Sequence, residues 1–239
     1  MKIRLLSKSR AAPHPHLESN IWSSDHLRPD VAAALKSIAE ELYDFFDLPS
    51  DLVQDLKFTG SLANYNYTKY SDIDLHLVVD FEDISDNTEM VKKFFDAKRR
   101  LWNQKHKITI KGYEVEAYVE NVNEKHISSG AYSILDGDWI KRPSPIKPRV
   151  DNLALSLKVS AIKDSVESAI DAGDLEMLGA LKEKITKMRC CGLEKGGEYS
   201  IENLAFKELR RKGIIKKLHD TYTARYDQKY SLPEEMRRT

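Results

Sequence analysis

The sequence predicts an α/β domain followed by an all-helical domain, and two patterns support this fold class. Between residue 29 and about residue 120, segments with apolar residues at helical spacing alternate with segments of strand-like alternation. After residue 149 only helical spacing remains, and the proline-rich stretch 142–148 has the composition of a linker. We therefore expect an N-terminal arm at 1–28, an α/β domain at 29–145 and a helical domain at 149–239.

The first half of the α/β domain contains the most regular patterns. Apolar residues recur every three or four positions over 29–46, which predicts a helix. Residues 51–59 form a weaker strand pattern, which Gly60 and Ser61 interrupt. A short polar loop is expected at 62–70. Strict alternation over 71–80 predicts the clearest strand of the chain.

The second half of this domain is expected to begin with a helix over 87–104. Residues 107–120 read as two strands joined by a turn at Lys111 and Gly112. In the second strand, valine and alanine alternate with glutamate and tyrosine, so the two kinds of side chain face opposite sides of a sheet. Residues 121–150 contain glycines and prolines and predict irregular structure.

The second domain is predicted to contain four helices. One stripe of apolar residues spans 155–170, and another spans 175–188 and is expected to end at Gly192. Ser200 suits the N-cap of a third helix that ends before Gly213. The last helix is predicted from residue 214 to about residue 226.

Composition describes an ordinary globular protein. The chain has 239 residues, of which 41% are hydrophobic and 32% charged, so a disordered chain is not indicated. Lysine plus arginine equals aspartate plus glutamate at 38 each, and the net charge of zero argues against binding nucleic acid through bulk positive charge. A local basic patch is still compatible with this balance.

The cysteines and the apolar segments indicate a compartment. The two cysteines, Cys190 and Cys191, are neighbours without nearby histidines, which argues against a disulfide framework and against a zinc site. The first ten residues lack the apolar core of a signal peptide, and no stretch has the length of a membrane span. We expect a soluble protein of the cytoplasm that makes no membrane contact.

One short motif carries chemistry. Gly60 and Ser61 precede Asp72-Ile73-Asp74 by ten residues. Asp72 and Asp74 would lie on one face of a strand, ~6–7 Å apart, where they can share a divalent cation. Gly60 allows a phosphate to approach the backbone closely, and a short helix after Ser61, if it forms, would point its amides at that anion.

This motif resembles the signature of the DNA polymerase β-type nucleotidyltransferase superfamily. In that signature a strand ends in Gly-Ser, about ten residues follow, and the pattern hydrophobic-Asp-x-Asp-hydrophobic comes next. The third carboxylate of the superfamily lies on a later strand, where Glu116 matches best and Glu114 is the alternative. The resemblance covers about residues 30–120. Over 27–80 the chain is also similar to uncharacterised nucleotidyltransferase-like proteins of tailed phages, which would place it in the host cytoplasm.

The resemblance implies a mixed sheet flanked by helices, and transfer of a nucleoside monophosphate from a nucleoside triphosphate. It implies that Asp72 and Asp74 ligate two Mg²⁺ ions, with Mn²⁺ as the alternative metal. Glu116 would complete the metal site and help to deprotonate the acceptor hydroxyl. An ordinary charged face of an edge strand is the competing interpretation, since Glu120 continues the same row.

The same resemblance implies that Gly60 and Ser61 hold the β- and γ-phosphates. Ser71 and His76 complete the expected nucleotide-binding set. His76 departs from the superfamily pattern, which has an apolar residue there, and it lies on the carboxylate face. A structural role is the alternative for this histidine. The nucleotide is expected in a cleft between the two domains.

Other groups carry weaker signals. Three tyrosines of the polar loop can stack on a base or simply pack, and Tyr132 and Trp139 favour core packing. A basic run near the C-terminus is either a solvated helix face or a surface for triphosphate or RNA. It consists of Lys207, Arg210, Arg211, Lys212, Lys216 and Lys217.

The acceptor is not identified by these residues, although RNA or a second nucleotide is favoured. A cyclic or linear oligonucleotide synthase would use the same metal site. A nucleotide- or RNA-binding protein with an inactive site and a structural phage component are the non-enzymatic alternatives. The sequence leaves base preference and oligomeric state open.

Overall fold

The computed structural model describes residues 14–124, 128–145 and 150–232, which fall into two compact units. An α/β unit comprises the described residues up to 145, and a helical unit comprises 150–232. The predicted fold class, mixed α/β followed by helices, is confirmed. Parts of the expected arm (1–13), linker (146–149) and C-terminal end (233–239) lie outside the described residues. No described helix has the length and apolar character that crossing a membrane requires.

The α/β unit is built on a mixed sheet with the strand order β5-β6-β4-β3-β7-β8. The strands β4 and β6 are parallel, and the other neighbours are antiparallel. A separate hairpin precedes the sheet. Its two strands, β1 (Trp22–Ser23) and β2 (His26–Leu27), have two residues each. The sheet strands are β3 (Val53–Thr59), β4 (Ile73–Val79), β5 (Thr109–Ile110), β6 (Tyr113–Asn121), β7 (Ala131–Ser133) and β8 (Asp138–Lys141).

Helix α1 spans Pro29–Phe46, with the bounds that its apolar stripe predicts. Proline at its first position lacks the N–H that would have no partner there. The helix ends at Asp47, which adopts a left-handed conformation with φ 53°. Its stripe is buried against the apolar face of the sheet, which includes Phe58 and Leu75.

Helix α2 (Thr88–Lys105) connects β4 to β6 and lets these two strands run parallel. The Asn87 side chain caps it by accepting from the Met90 N–H at 3.0 Å. The predicted turn between β5 and β6 is present, with positive φ at Lys111 and Gly112.

Asn103 of α2 also protects the side of β6 that β5 leaves uncovered. Its amide accepts from the Ala117 N–H at 3.0 Å and donates to the Ala117 carbonyl at 3.3 Å. One side chain thus satisfies both backbone groups that a further strand would otherwise pair.

Strands β7 and β8 were not predicted, because residues 121–150 were expected to be irregular. All three residues of β7 are buried, so the strand shows no alternation. Tyr132 and Trp139 pack around Trp22, at ring-centroid distances of 5.1 and 4.6 Å, which confirms core packing for both. Residues 14–28 therefore contribute to this core, with Ile21 and Trp22 buried.

The helical unit contains α3 (Asn152–Ala172), α4 (Leu175–Gly196), α5 (Ile201–Arg211) and α6 (Ile214–Tyr230). Aspartates cap α3 and α4, and the Ser200 hydroxyl caps α5 as predicted. Helix α6 runs four residues beyond its expected end at Tyr226. The buried contacts of this unit join all four helices.

The prediction that the second helix of this unit ends at Gly192 is wrong, because α4 continues to Gly196. Gly192 is instead a point of close approach between α4 and the start of α5. A Cβ atom there would lie 2.4 Å from the Glu202 Cβ and 2.8 Å from the Ser200 Oγ. The glycine is needed for packing rather than for ending the helix.

We predict that Gly192→Ala destabilises the chain although alanine is the better helix former. The overlap with α5 should outweigh the propensity gain and lower the free energy of unfolding by about 1–3 kcal/mol. Urea denaturation measures this change. Gly179→Ala, in the same helix, is the control, since its added Cβ meets only the Tyr222 ring edge at 3.3 Å. Equal stabilities of the two variants would contradict the packing role.

Candidate functional site

The candidate residues lie on the polar face of the sheet, at the end where β3 finishes and β4 begins. Strand alternation sends Phe58, Leu75 and Ala117 into the core and their neighbours to the opposite face. That opposite face carries Thr59 of β3 and Asp74 of β4, which are direct partners in the ladder. Every group discussed for the site therefore belongs to the α/β unit.

Pairing register brings two of the three predicted carboxylates together. Asp74 lies directly opposite Glu116 in the parallel ladder of β4 and β6. Glu114, the alternative third carboxylate, is exposed and pairs with Thr109 of β5. It lies two residues before Glu116, which is the partner of Asp74. Asp72 precedes β4, which begins at Ile73 rather than at residue 71, so its backbone is not held by the ladder.

Gly60 is in direct contact with one of these carboxylates. The residue follows β3 with φ 79°, and a Cβ atom on it would lie 1.8 Å from the Asp74 Oδ2. Only glycine combines this backbone conformation with room for the carboxylate. The glycine of the Gly-Ser pair thus determines where the Asp74 side chain can point.

The sequence allows a short helix after Ser61, but residues 61–65 form turns and bends instead. The Leu62 carbonyl, which a helix would use internally, instead accepts from the Trp22 indole N–H at 2.7 Å. The backbone of Ala63 also packs tightly on Gly130, where an added Cβ would lie 1.9 Å from the Ala63 oxygen. Contacts with distant residues therefore hold this loop as a turn.

Ser61 and Ser71 come together across this loop. The Ser61 hydroxyl donates to the Ser71 Oγ at 2.8 Å, and the Thr68 N–H donates to the same oxygen at 2.9 Å. Both serines are half-buried. The two predicted phosphate contacts thus form one hydroxyl pair beside Gly60.

Glu116 is held by a residue that the motif does not contain. The Tyr118 hydroxyl donates to the Glu116 Oε2 at 2.7 Å. Burial, and then the negative charges of Asp74 and Glu116, raise the pKa of Tyr118 above its ordinary value. The phenol therefore remains protonated and a hydrogen-bond donor throughout the neutral range.

His76 belongs to a buried polar network on the same face. Its Nδ1 lies 2.7 Å from the Glu120 Oε2, and its Nε2 lies 3.2 Å from the Thr59 Oγ1. The Lys57 ammonium donates to the other Glu120 oxygen at 3.0 Å. Both ring nitrogens of His76 thus face protein groups. Glu120 is only 5% exposed, so it is not part of a solvent-exposed charged face.

Oxygen donors of this kind suit a hard divalent cation. The Gly60 contact and the Tyr118 bond hold Asp74 and Glu116 in defined positions, and both charges act on the Tyr118 hydroxyl. Within the described ranges, no group of three or more His, Cys, Asp and Glu side chains is gathered closely enough to enclose a metal ion. The donor chemistry of the two carboxylates fits Mg²⁺ or Mn²⁺.

The tyrosines, the basic run and the cysteines that the sequence singles out lie in different environments. Tyr67 stacks on His14 at 4.0 Å, Tyr65 packs at the edge of the core, and Tyr70 is 58% exposed. In the basic run, Arg211 and Lys212 both pair with Glu208, and Lys216 pairs with Asp220. Cys190 and Cys191 are exposed on α4.

Sequence reasoning placed Tyr118 and Glu120 in the row of Glu116 but gave them no role. Their period-two spacing was the available signal. The Arg99 guanidinium, which lies 4.6 Å from the centre of the Tyr118 ring, and the Lys57 ammonium had no such signal, because Arg99 belongs to a helix and Lys57 to a neighbouring strand.

We predict that Gly60→Ala costs more stability than Gly112→Ala. Both glycines have similar positive φ, which should cost each variant about 1–2 kcal/mol. Gly112 has nothing within 4 Å, whereas Gly60 would also displace the Asp74 carboxylate, at about 1 kcal/mol more. Urea denaturation of the pair isolates the steric contribution. Equal losses would show that Asp74 does not depend on Gly60.

We predict that Lys57→Met lowers the free energy of unfolding by about 3 kcal/mol, because Glu120 keeps a buried charge without its ammonium partner. The double variant Lys57→Met/Glu120→Gln should be more stable than Lys57→Met alone. Lys93→Met, which breaks an exposed pair with Glu89, is the control and should change stability little. Urea denaturation measures these changes. If the loss of stability in the double variant equals the sum of the losses caused by Lys57→Met and by Glu120→Gln alone, the two residues are not energetically coupled and the prediction is wrong.

No protein-family model and no curated protein sequence matches this chain. Among solved structures, it is similar to the structure of the STING-associated CdnE c-di-GMP synthase from Capnocytophaga granulosa. The sequence identity is 13%, the TM-score is 0.22, and the similarity covers 86% of this chain and 84% of that chain. A similarity this low carries no conclusion about what this chain does.

Proposed function

We propose that this chain is a metal-dependent nucleotidyltransferase that moves a nucleoside monophosphate from a nucleoside triphosphate to an acceptor hydroxyl. One observation carries the proposal. The ladder register sets Asp74 opposite Glu116, at the end of the sheet where Gly60 fits against the Asp74 carboxylate. Gly60, Asp74 and Glu116, which are distant in sequence, thus meet at one place.

Asp72, Asp74 and Glu116 are the proposed metal ligands, for two Mg²⁺ ions or for Mn²⁺. Bound divalent ions would neutralise the triphosphate and stabilise the charge that develops on the attacking and leaving oxygens. Asp72 directly precedes β4 and lies two positions before Asp74.

In the proposed reaction the acceptor oxygen attacks the α-phosphorus, and the bond from that phosphorus to the bridging oxygen of the β-phosphate breaks. Pyrophosphate leaves with the electron pair of that bond. Glu116 receives the proton of the acceptor hydroxyl. Its Oε2 is already bonded to Tyr118, and Oε1 is the atom proposed to take this proton.

Phosphate binding is assigned to Gly60, Ser61 and Ser71. The turn at Gly60 exposes backbone to the ligand, and the hydroxyl pair has one proton beyond the one that joins the two serines. His76 is assigned a supporting role instead of a phosphate contact, since Glu120 and Thr59 face its two nitrogens.

The acceptor is proposed to be RNA or a second nucleotide. Incubating the purified chain with each α-labelled triphosphate, Mg²⁺ or Mn²⁺, and either total RNA or unlabelled nucleotides tests this directly. Label in RNA on a denaturing gel indicates a tailing activity, and new small products on thin-layer plates indicate an oligonucleotide synthase. Label in neither, with every triphosphate and both metals, would overturn the proposal.

We predict that Asp72→Asn and Asp74→Asn each abolish transfer while the fold persists. Asparagine has nearly the shape and volume of aspartate, so the packing around either position should persist and both variants should remain folded. Asp80→Asn, at the far end of β4, is the control, because asparagine can still accept from the Glu82 N–H. Transfer rates and urea denaturation of the three variants decide the outcome. Turnover at the parental rate in either site variant would sink the assignment.

A further inference from the structure

We propose that Tyr118 is a positioning residue for Glu116, and that Arg99 and His76 hold its ring for this purpose. The inference rests on the proposed function, in which Glu116 is a metal ligand. It concerns residues outside the Gly-Ser and Asp-x-Asp motif. The group that it assigns acts through Glu116 and does not itself touch metal or substrate.

A hydrogen bond from the Tyr118 hydroxyl holds the Glu116 carboxylate. Glu116 and Tyr118 are two positions apart on β6, so both side chains leave the same face of the sheet. The phenol donates to one carboxylate oxygen at 2.7 Å, a short distance typical of a charged acceptor. This bond restricts the rotation of the glutamate side chain and leaves the two lone pairs of Oε1 for the divalent cation and for the acceptor proton.

The tyrosine ring is in turn held from two sides. The His76 ring stacks on it with centroids 4.6 Å apart and planes 17° from parallel. The Arg99 guanidinium lies 4.6 Å from the centre of the same ring. A guanidinium over the ring and an imidazole stacked on it leave the tyrosine ring little freedom to swing away.

These two contacts come from different elements. His76 lies opposite Tyr118 in the ladder of β4 and β6, and it is fixed by Glu120 and Thr59. Arg99 extends from α2, where it also lies 3.5 Å from Asp96. The position of Glu116 therefore depends on the strand that carries Asp74 and on the helix beside β6.

The ring and the hydroxyl make separable contributions. Stacking requires only an aromatic ring, so phenylalanine would preserve the contacts with Arg99 and His76. The bond to Glu116 requires the hydroxyl alone. Tyr118→Phe therefore removes the positioning bond while it leaves the packing of the polar face intact.

The experiment measures Mn²⁺ binding to the purified full chain by electron paramagnetic resonance, together with the Mg²⁺ concentration that gives half-maximal transfer. Tyr118→Phe is expected to weaken Mn²⁺ binding about tenfold and to raise that Mg²⁺ concentration similarly. Arg99→Met keeps the hydroxyl but removes one face of the clamp, so about threefold is expected. The KM for the triphosphate should change less than either value.

Tyr113→Phe is the matched control. Tyr113 also belongs to β6 and also bonds a carboxylate, that of Glu18, but it faces the core side of the sheet. Burial and the Glu18 carboxylate raise its pKa to about 12. Its variant should bind Mn²⁺ like the parent chain.

Unchanged Mn²⁺ affinity in Tyr118→Phe would overturn the inference, including the case in which only the melting temperature falls. If Tyr118→Phe does not fold, unchanged affinity in Arg99→Met overturns it instead. A parent chain that transfers nucleotides while Tyr118→Phe binds metal equally well refutes the positioning role and leaves the proposed function standing. A parent chain that neither binds Mn²⁺ nor transfers nucleotides refutes both.

Discussion

The parallel pairing of β4 with β6 is the constraint on which the arrangement of this polar face depends. Parallel strands need a long crossover, and α2 provides it while covering the apolar side of the sheet. The register of this pair sets Asp74 opposite Glu116, His76 opposite Tyr118 and Val78 opposite Glu120. A shift of β6 by one residue would send Glu116, Tyr118 and Glu120 to the opposite face.

Charge on this face is distributed in two different ways. Lys57 and His76 accompany Glu120, so that buried carboxylate is locally compensated. Asp74 and Glu116 instead face each other as like charges, an arrangement that costs stability in a sheet unless a cation joins them. The ion pair of Lys57 with Glu120 links β3 to β6, the strands on either side of β4.

Much of the fold follows from the sequence where one element decides its own structure. The stripe of α1 and its terminal Pro29 define that helix, and the alternation of β4 is unambiguous. The strands β7 and β8 escape prediction because their stability comes from aromatic contacts with Trp22, a residue more than 100 positions away. The turn after Ser61 is decided in the same way, by an indole N–H from 40 residues earlier.

The candidate site likewise has features that the sequence spacing predicts and features that depend on distant contacts. Period-two spacing puts Glu114 and Glu116 on one face and cannot choose between them. The choice needs the register of two strands that are separated by a whole helix, and this register places Glu116 across from Asp74. The roles of both residues remain predictions. Tyr118 and Arg99 lie on different elements and come together only in the folded chain, so their contact cannot be predicted from spacing in the sequence.

The amide of Asn103 has a consequence for how the sheet can associate. By bonding both backbone groups of Ala117, it occupies the edge of β6 at the position that follows the short β5. An extended peptide or a second chain would have to displace α2 to continue the sheet on that side. Of the two border strands of the sheet, β8 is the one farther from Glu116.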